Sequence, residues 1–216
     1  WELYLMVFNS VYEMFNPLTE VRKQHFWDWF SGDDLNSRWT KQDIVGTGSG
    51  TMNDSVDGGF RVTSGATSGN QTHYGFNNKR QIDYTNSVYI GVMKAVSTTS
   101  QVSYCGVQTS MGIDWNAGNY STLILMDSSK TNFSLYTSNG SLGTDTQSTT
   151  PIDTDWHNFH ITNTSSNAIM KVDGVAESTS TTTLNTSYRQ QTTFGVETTT
   201  GSAKSTDIRY CEAYNT

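Results

Sequence analysis

From residue 33 to residue 216 the apolar residues come in short runs at every second position, divided by Gly, Asn, Asp, Ser and Thr. Val88, Ile90 and Val92 alternate with Tyr89, Gly91 and Met93, and Ile208, Tyr210 and Tyr214 fall on alternate positions of the last run. A period of two puts successive side chains on opposite faces of a strand, and so many short strands can bury their apolar faces only by stacking as sheets. The spacing predicts strands at 43–47, 59–64, 72–76, 87–96, 101–108, 121–127, 132–137, 157–162, 168–173, 192–198 and 206–214. Ile208, Tyr210 and Tyr214 are expected on one face. The tract 178–187 reads as a polar loop or edge within the domain.

Composition supports an all-β reading. Charged residues make up 15% of the 216 and mean hydropathy is −0.52, so uncharged polar residues, chiefly Thr and Ser, supply the polarity. Thr suits a pleated, half-solvated surface, and 12% aromatics are enough to build a core. The net charge of −7, with the basic residues scattered, argues against a nucleic-acid partner. The longest apolar run near the start, Leu3 to Phe8, is too short to span a bilayer. Seven Asn-x-Ser/Thr sequons and two cysteines fit an extracellular or virion-surface setting.

The first thirty residues differ from the rest. Apolar residues at 4, 8, 11, 15 and at 18, 21 are spaced for helix faces, and Asn16-Pro17 reads as a cap and first-turn proline, predicting helices at 2–15 and 17–29. The division is therefore a helical segment, 1–30, and a β-sandwich, 31–216. Trp1, Leu3, Tyr4, Leu5, Met6, Val7, Phe8, Val11, Tyr12, Met14 and Phe15 together spread around most of the first helix, more than one sandwich face can hide. Among them, Leu3, Tyr4, Val7, Phe8, Val11 and Phe15 are expected to mediate assembly, as a homo-oligomer or with other virion or surface proteins.

Three stretches in order resemble the concanavalin A-like lectin/glucanase superfamily, which includes laminin G-like domains, lectins and family-16 glycosidases. Phe30-Ser31-Gly32-Asp33-Asp34-Leu35-Asn36-Ser37-Arg38-Trp39 is similar to the F-x-G-x-x-L-x-x-x-W opening of such domains. Asp155 to Ile161, then Ile169 to Gly174, resembles the late strand pair with its Asp-Gly turn, and Asp207 to Tyr214 resembles the closing strand. The resemblance covers about residues 29–216 and implies a jelly-roll β-sandwich. It further implies a structural calcium, held by Asp207 with backbone carbonyls near Gly58 and Trp29.

Family-16 glycosidases carry Glu-x-Asp-x-Glu on one strand, which places all three carboxylates on one face. No such trio occurs here, which predicts a non-enzymatic structural or adhesive surface protein. The alternative is a carbohydrate-binding, lectin-like module, with a polysaccharide hydrolase or lyase behind it. Glycan contacts are expected at Asp114, Trp115, Asn116, Asn119 and Tyr120, where aromatics alternate with hydrogen-bonding side chains in a loop. Cys105 and Cys211 are expected to be bridged, or buried close together.

Overall fold

A computed structural model describes residues 25–53, 58–76, 80–110 and 118–216. Fifteen strands are formed there, and every pairing between them is antiparallel. The first sheet contains β1 (His25–Trp29), β3 (Ser49–Met52), β4 (Phe60–Thr63), β6 (Ser87–Ala95), β11 (His157–Asn163), β12 (Ala168–Val172), β13 (Val175–Ser180) and β15 (Ser205–Asn215). Its order is β13-β12-β11-β6-β15-β4-β3, and β1 pairs with the later half of β15. The second sheet contains β2 (Thr40–Val45), β5 (Gln71–Gly75), β7 (Gln101–Gln108), β8 (Tyr120–Asp127), β9 (Asn132–Asn139), β10 (Gly143–Pro151) and β14 (Gln191–Thr198). Its order is β10-β9-β8-β7-β14-β5-β2. The two sheets pack face to face around one large apolar cluster, as expected of an all-β sandwich.

The expected strands are found, with four additions that alternation of apolar residues does not reveal. β10 and β13 are outer strands of their sheets, rich in Thr and Ser, and their registers are held by pairing rather than by an apolar face. Thr137 Oγ1 and Ser180 Oγ, 2.8 Å apart, tie this end of the sandwich across the two sheets. β3 is a four-residue strand with little apolar content.

β1 corrects the expectation of helix over 17–29, since His25–Trp29 is extended and hydrogen-bonds along β15. Here tertiary pairing overrides a helical spacing. Phe26 turns inward against Trp39 and Phe76, while Trp27 and Trp29 face out. Asp28 accepts the indole N–H of Trp39 at 2.7 Å, joining β1 to the turn before β2. Burial raises the Asp28 pKa, although the Trp39 hydrogen bond and Arg38 oppose this. The remaining helical and assembly expectations, at Leu3, Tyr4, Val7, Phe8, Val11 and Phe15, lie outside the described residues.

β15 holds a second correction. A register shift between Ile208 and Tyr210 inserts Arg209 as an extra residue. One extra residue reverses the alternation, so Ile208 points into the core while Tyr210 points out. Downstream of the bulge Cys211 and Ala213 face inward, and Tyr210, Glu212 and Tyr214 share the outer face with Trp29, Trp27 and His25 of β1.

The Asp-Gly turn between β12 and β13 forms as expected, with positive φ at Asp173 (52°) and Gly174 (84°). The Asp173 carboxylate does more than close that turn. It accepts the Asn158 amide at 2.8 Å and lies 2.7 Å from His157 Nδ1, whose Nε2 lies 2.9 Å from Asp153. Burial pushes the imidazole pKa down, but the hydrogen bonds and charges of Asp153 and Asp173 outweigh it, so the net shift is upward. For Asp153 burial pushes up, and the bond to His157 outweighs it, so the net shift is downward. The histidine contribution is therefore complete below about pH 6.5 and lost as pH rises through the folded value; the Asp153 contribution is present above about pH 4 and lost on acidification. His157→Gln is expected to destabilise most near pH 5, by less than about 1 kcal/mol because both carboxylates are half exposed. Urea midpoints at pH 5 and pH 8 check this, and an equal loss at both would refute it.

Candidate functional site

The outer face of the seven-stranded sheet is unlike an ordinary solvated sheet surface. Antiparallel register aligns residues into rows across it, each row on one face. The first row runs Gln71 (β5), Glu197 (β14), Val102 (β7) and Asp127 (β8). The next runs Gln42 (β2), His73 (β5), Gly195 (β14), Tyr104 (β7) and Leu125 (β8). Thr193, Gly106, Leu123 and Tyr136 continue the third row, and Gln191 and Gln108 the fourth.

These rows combine an apolar cluster with buried hydrogen-bonding groups. Val102, Tyr104, Leu123, Leu125 and Tyr136 make a second hydrophobic cluster, distinct from the one between the sheets. His73 and Tyr104 are fully buried beside it, with His73 Nδ1 2.7 Å from the Tyr104 hydroxyl. Gly195 makes that pair possible. A Cβ there would stand 2.5 Å from His73 Cβ and 2.6 Å from the Tyr104 hydroxyl. Gln108 donates to Thr193 Oγ1 at 3.2 Å, so the amides of this face are part of a network. Glu197 and Asp127, in the first row, are its only half-buried carboxylate-bearing positions on the central strands β14, β7 and β8.

Asn119 has a structural role. Its amide donates to Gln108 Oε1 and to the Ser110 carbonyl, and its Oδ1 accepts from Thr109 Oγ1 and the Ser110 amide. A fully buried side chain with four such bonds fixes the segment entering β8 rather than meeting a ligand. Tyr120 packs its ring against Tyr188, centroids 4.5 Å apart. Asp114, Trp115 and Asn116 lie outside the described residues.

The calcium expectation at Asp207 is corrected by its surroundings. Its carboxylate is fully buried and accepts from Arg61 Nε at 2.7 Å and from the second Arg61 nitrogen at 2.8 Å, with Lys94 Nζ 4.0 Å away. Two cations already face the oxygens that a dication needs, so the repulsion excludes it. The Trp29 carbonyl accepts the Ser31 amide at 2.7 Å, and Gly58 has a positive φ of 62°. Among the described residues no group of three His, Cys, Asp or Glu side chains could hold a metal ion.

Cys105 and Cys211 are free thiols, both fully buried, from facing sheets. Tyr89 stands beside both, without a hydrogen-bond partner of ordinary N or O type for its hydroxyl. Burial pushes the Cys105 thiol up to about 12 and Cys211 well above its ordinary value, so neither is a nucleophile at neutral pH.

No family model matches the chain, and no curated protein matches it. Solved structures do. A Bacillus licheniformis β-glucanase superposes with a TM-score of 0.61 at 14% identity, covering 89% of this chain and 98% of its own. A structure described as a native glycosidic hydrolase gives 0.65 at 15%, covering 91% and 98%. The Crh5 transglycosylase gives 0.60 at 16%, covering 88% and 84%. The expectation of a non-enzymatic structural or adhesive surface protein is corrected by this set, which holds polysaccharide-processing enzymes where coat or adhesion proteins were expected. The expectation failed because it rested on the absence of one contiguous carboxylate motif, whereas carboxylates on separate strands can share a face. At these identities the likeness is one of architecture, and with the antiparallel topology of both sheets it shows a concanavalin A-like jelly-roll fold.

Proposed function

We propose that this protein is a polysaccharide-processing enzyme that hydrolyses glycosidic bonds of a β-linked glycan at the Glu197–Asp127 row. The observation that carries this is the register: Glu197 and Asp127 both stand opposite Val102, on one face, one strand to either side of it. Two strand spacings put their Cα atoms about 10 Å apart. With side chains leaning inward, that separation suits a pair of carboxyl groups with a water between them, the arrangement of inverting glycosidases, at roughly 6.5–9.5 Å.

In that geometry Glu197 gives its proton to the glycosidic oxygen as the bond to the anomeric carbon breaks. Asp127, whose Oδ1 accepts the Ser129 amide at 2.8 Å, takes a proton from the water that attacks from the opposite side. The row is at the more accessible end of a face whose deeper rows are buried, where the reacting bond can reach it and the polar network stays rigid. The fold likeness to a β-glucanase and a transglycosylase supports the same substrate class. A polymeric substrate also agrees with the extracellular setting expected from the sequons.

The test is product release from a panel of β-1,3-, β-1,4- and mixed-linkage glucans, read as reducing ends and by chromatography of the released oligosaccharides. Glu197→Gln and Asp127→Asn are each expected to lower turnover by about 10²–10⁴-fold with the melting temperature little changed. No release on any member of the panel, or full activity in either variant, would overturn the assignment.

A further inference from the structure

The opposite sheet carries a feature that the reaction at Glu197 does not use. We infer that the outer face of β1 and β15 is a second glycan-binding surface, built from Trp27, Trp29, Tyr210 and Glu212, which holds a β-linked polysaccharide chain away from the reacting row. This inference rests on the polysaccharide reading above for the class of ligand.

Trp27 and Trp29 are 57% and 58% exposed, among the few large apolar side chains that the described residues leave in water. They are not there for lack of a core to enter. The same strand sends Phe26 inward, and Phe30 just beyond it packs against Trp39, Phe60 and Phe194. Alternation along β1 thus spends its inward positions on the core and displays both indoles on one face, about 7 Å apart along the strand. Among the described residues β1 pairs only with β15, so this display borders an open sheet edge.

The neighbouring groups give the patch its chemistry. The rings of Trp29 and Tyr210 lie 4.4 Å apart at 41°, so they form a continuous, bent aromatic surface. Glu212, directly opposite Trp27 in the register, accepts the Tyr210 hydroxyl at 2.7 Å and lies 2.7 Å from His25 Nε2. Tyr214 packs edge-on against His25, centroids 5.6 Å apart. Exposed ring faces interleaved with an ordered carboxylate and hydroxyl match a sugar, whose C–H face stacks on an aromatic while its equatorial hydroxyls need partners at the rim. An aliphatic protein surface would leave Glu212 and His25 to be desolvated without reward. A polymer with many equivalent units gains from holding at two places on one molecule, because the second contact is then intramolecular.

The experiment compares wild type, Trp27→Ala/Trp29→Ala and Glu197→Gln by native electrophoresis through gels containing soluble mixed-linkage β-glucan, with sedimentation velocity alongside. Wild type and Glu197→Gln are expected to be retarded alike, and the double tryptophan variant to bind at least tenfold more weakly while melting at the wild-type temperature. On short soluble oligosaccharides the double variant is expected to keep wild-type turnover, and on the polymer to show a raised KM with kcat unchanged. The use of Glu197→Gln separates the two readings, since loss of turnover there leaves retardation intact. Unchanged retardation in the double variant overturns the inference, as does absence of retardation in wild type. A concentration-dependent dimer that the double variant dissolves also overturns it, by assigning the patch to a second copy of the chain.

Discussion

Arg61→Ala is expected to destabilise the protein by about 3 kcal/mol and to lower its melting temperature by roughly 6–12 °C. Arg61 on β4 is the bidentate partner of Asp207 on β15, and Asp207 is fully buried. The cost comes less from losing an attraction than from leaving a carboxylate in a dry place with its oxygens unpaired. Lys94, 4.0 Å from Asp207 Oδ2, softens the loss and keeps it at the lower end of the range for a broken buried pair. Arg61→Lys is expected to recover part of the stability, since it restores a charge without the two parallel N–H bonds. Replacing both partners by apolar residues of similar volume, as in Arg61→Met/Asp207→Leu, is expected to be milder than Arg61→Ala alone. Thermal melts and urea titrations of the three variants beside the wild type check the series. A single Arg61→Ala variant that melts with the wild type would mean that Lys94 or solvent already satisfies the carboxylate.

Phe194→Ala is expected to cost about 3–5 kcal/mol, the range for emptying an aromatic from a well-packed core. Phe194 is fully buried on β14, where the two sheets meet. Its ring packs edge-on against Trp39 at 4.9 Å and Phe30 at 5.3 Å, stacks with Tyr74 at 6.0 Å, and approaches Phe60 at 6.2 Å. Truncation opens a cavity whose walls come from β4, β5, the turn before β2 and the segment after β1, so no single element can relax to fill it. Phe194→Leu keeps most of the volume and is expected to cost clearly less. The same strand carries Glu197, three residues on, so turnover in Phe194→Ala is expected to fall at temperatures well below the wild-type transition. Melting within a degree or two of wild type would show that the cluster repacks and that Phe194 is not its centre.

The two expectations that failed most plainly failed for related reasons. The missing Glu-x-Asp-x-Glu argued against chemistry, because a contiguous motif is the only arrangement of carboxylates that a linear pattern can display. Glu197 and Asp127 are 70 positions apart on strands that are not neighbours, and only the intervening Val102 shows that they share a row. Asp207 was expected to hold calcium because of its place in the closing strand. Its partner Arg61 is 146 residues away, and nothing local distinguishes a carboxylate awaiting a cation from one already paired with a guanidinium. The glycan expectation fared similarly at Asn119, whose four hydrogen bonds all depend on the strand ends packed around it.

Much else was legible. Alternating Val, Ile, Tyr and Phe between Gly, Asn and Asp turns specify strands through local sterics and a period of two, and the Asp173-Gly174 hairpin follows from backbone conformations that those two residues tolerate. The ordered trio of entry segment, late hairpin and closing strand was sufficient for the jelly roll. The sequence by itself therefore determined the elements, their order and the class of sandwich, because those depend on neighbours within a few residues. The tertiary structure decided which face each residue meets. One inserted residue, Arg209, reverses the alternation of β15, sending Ile208 inward and the aromatics of its later half out beside Trp27 and Trp29. Strand pairing across the whole chain then brings Glu197 level with Asp127, a long-range alignment that no local periodicity encodes.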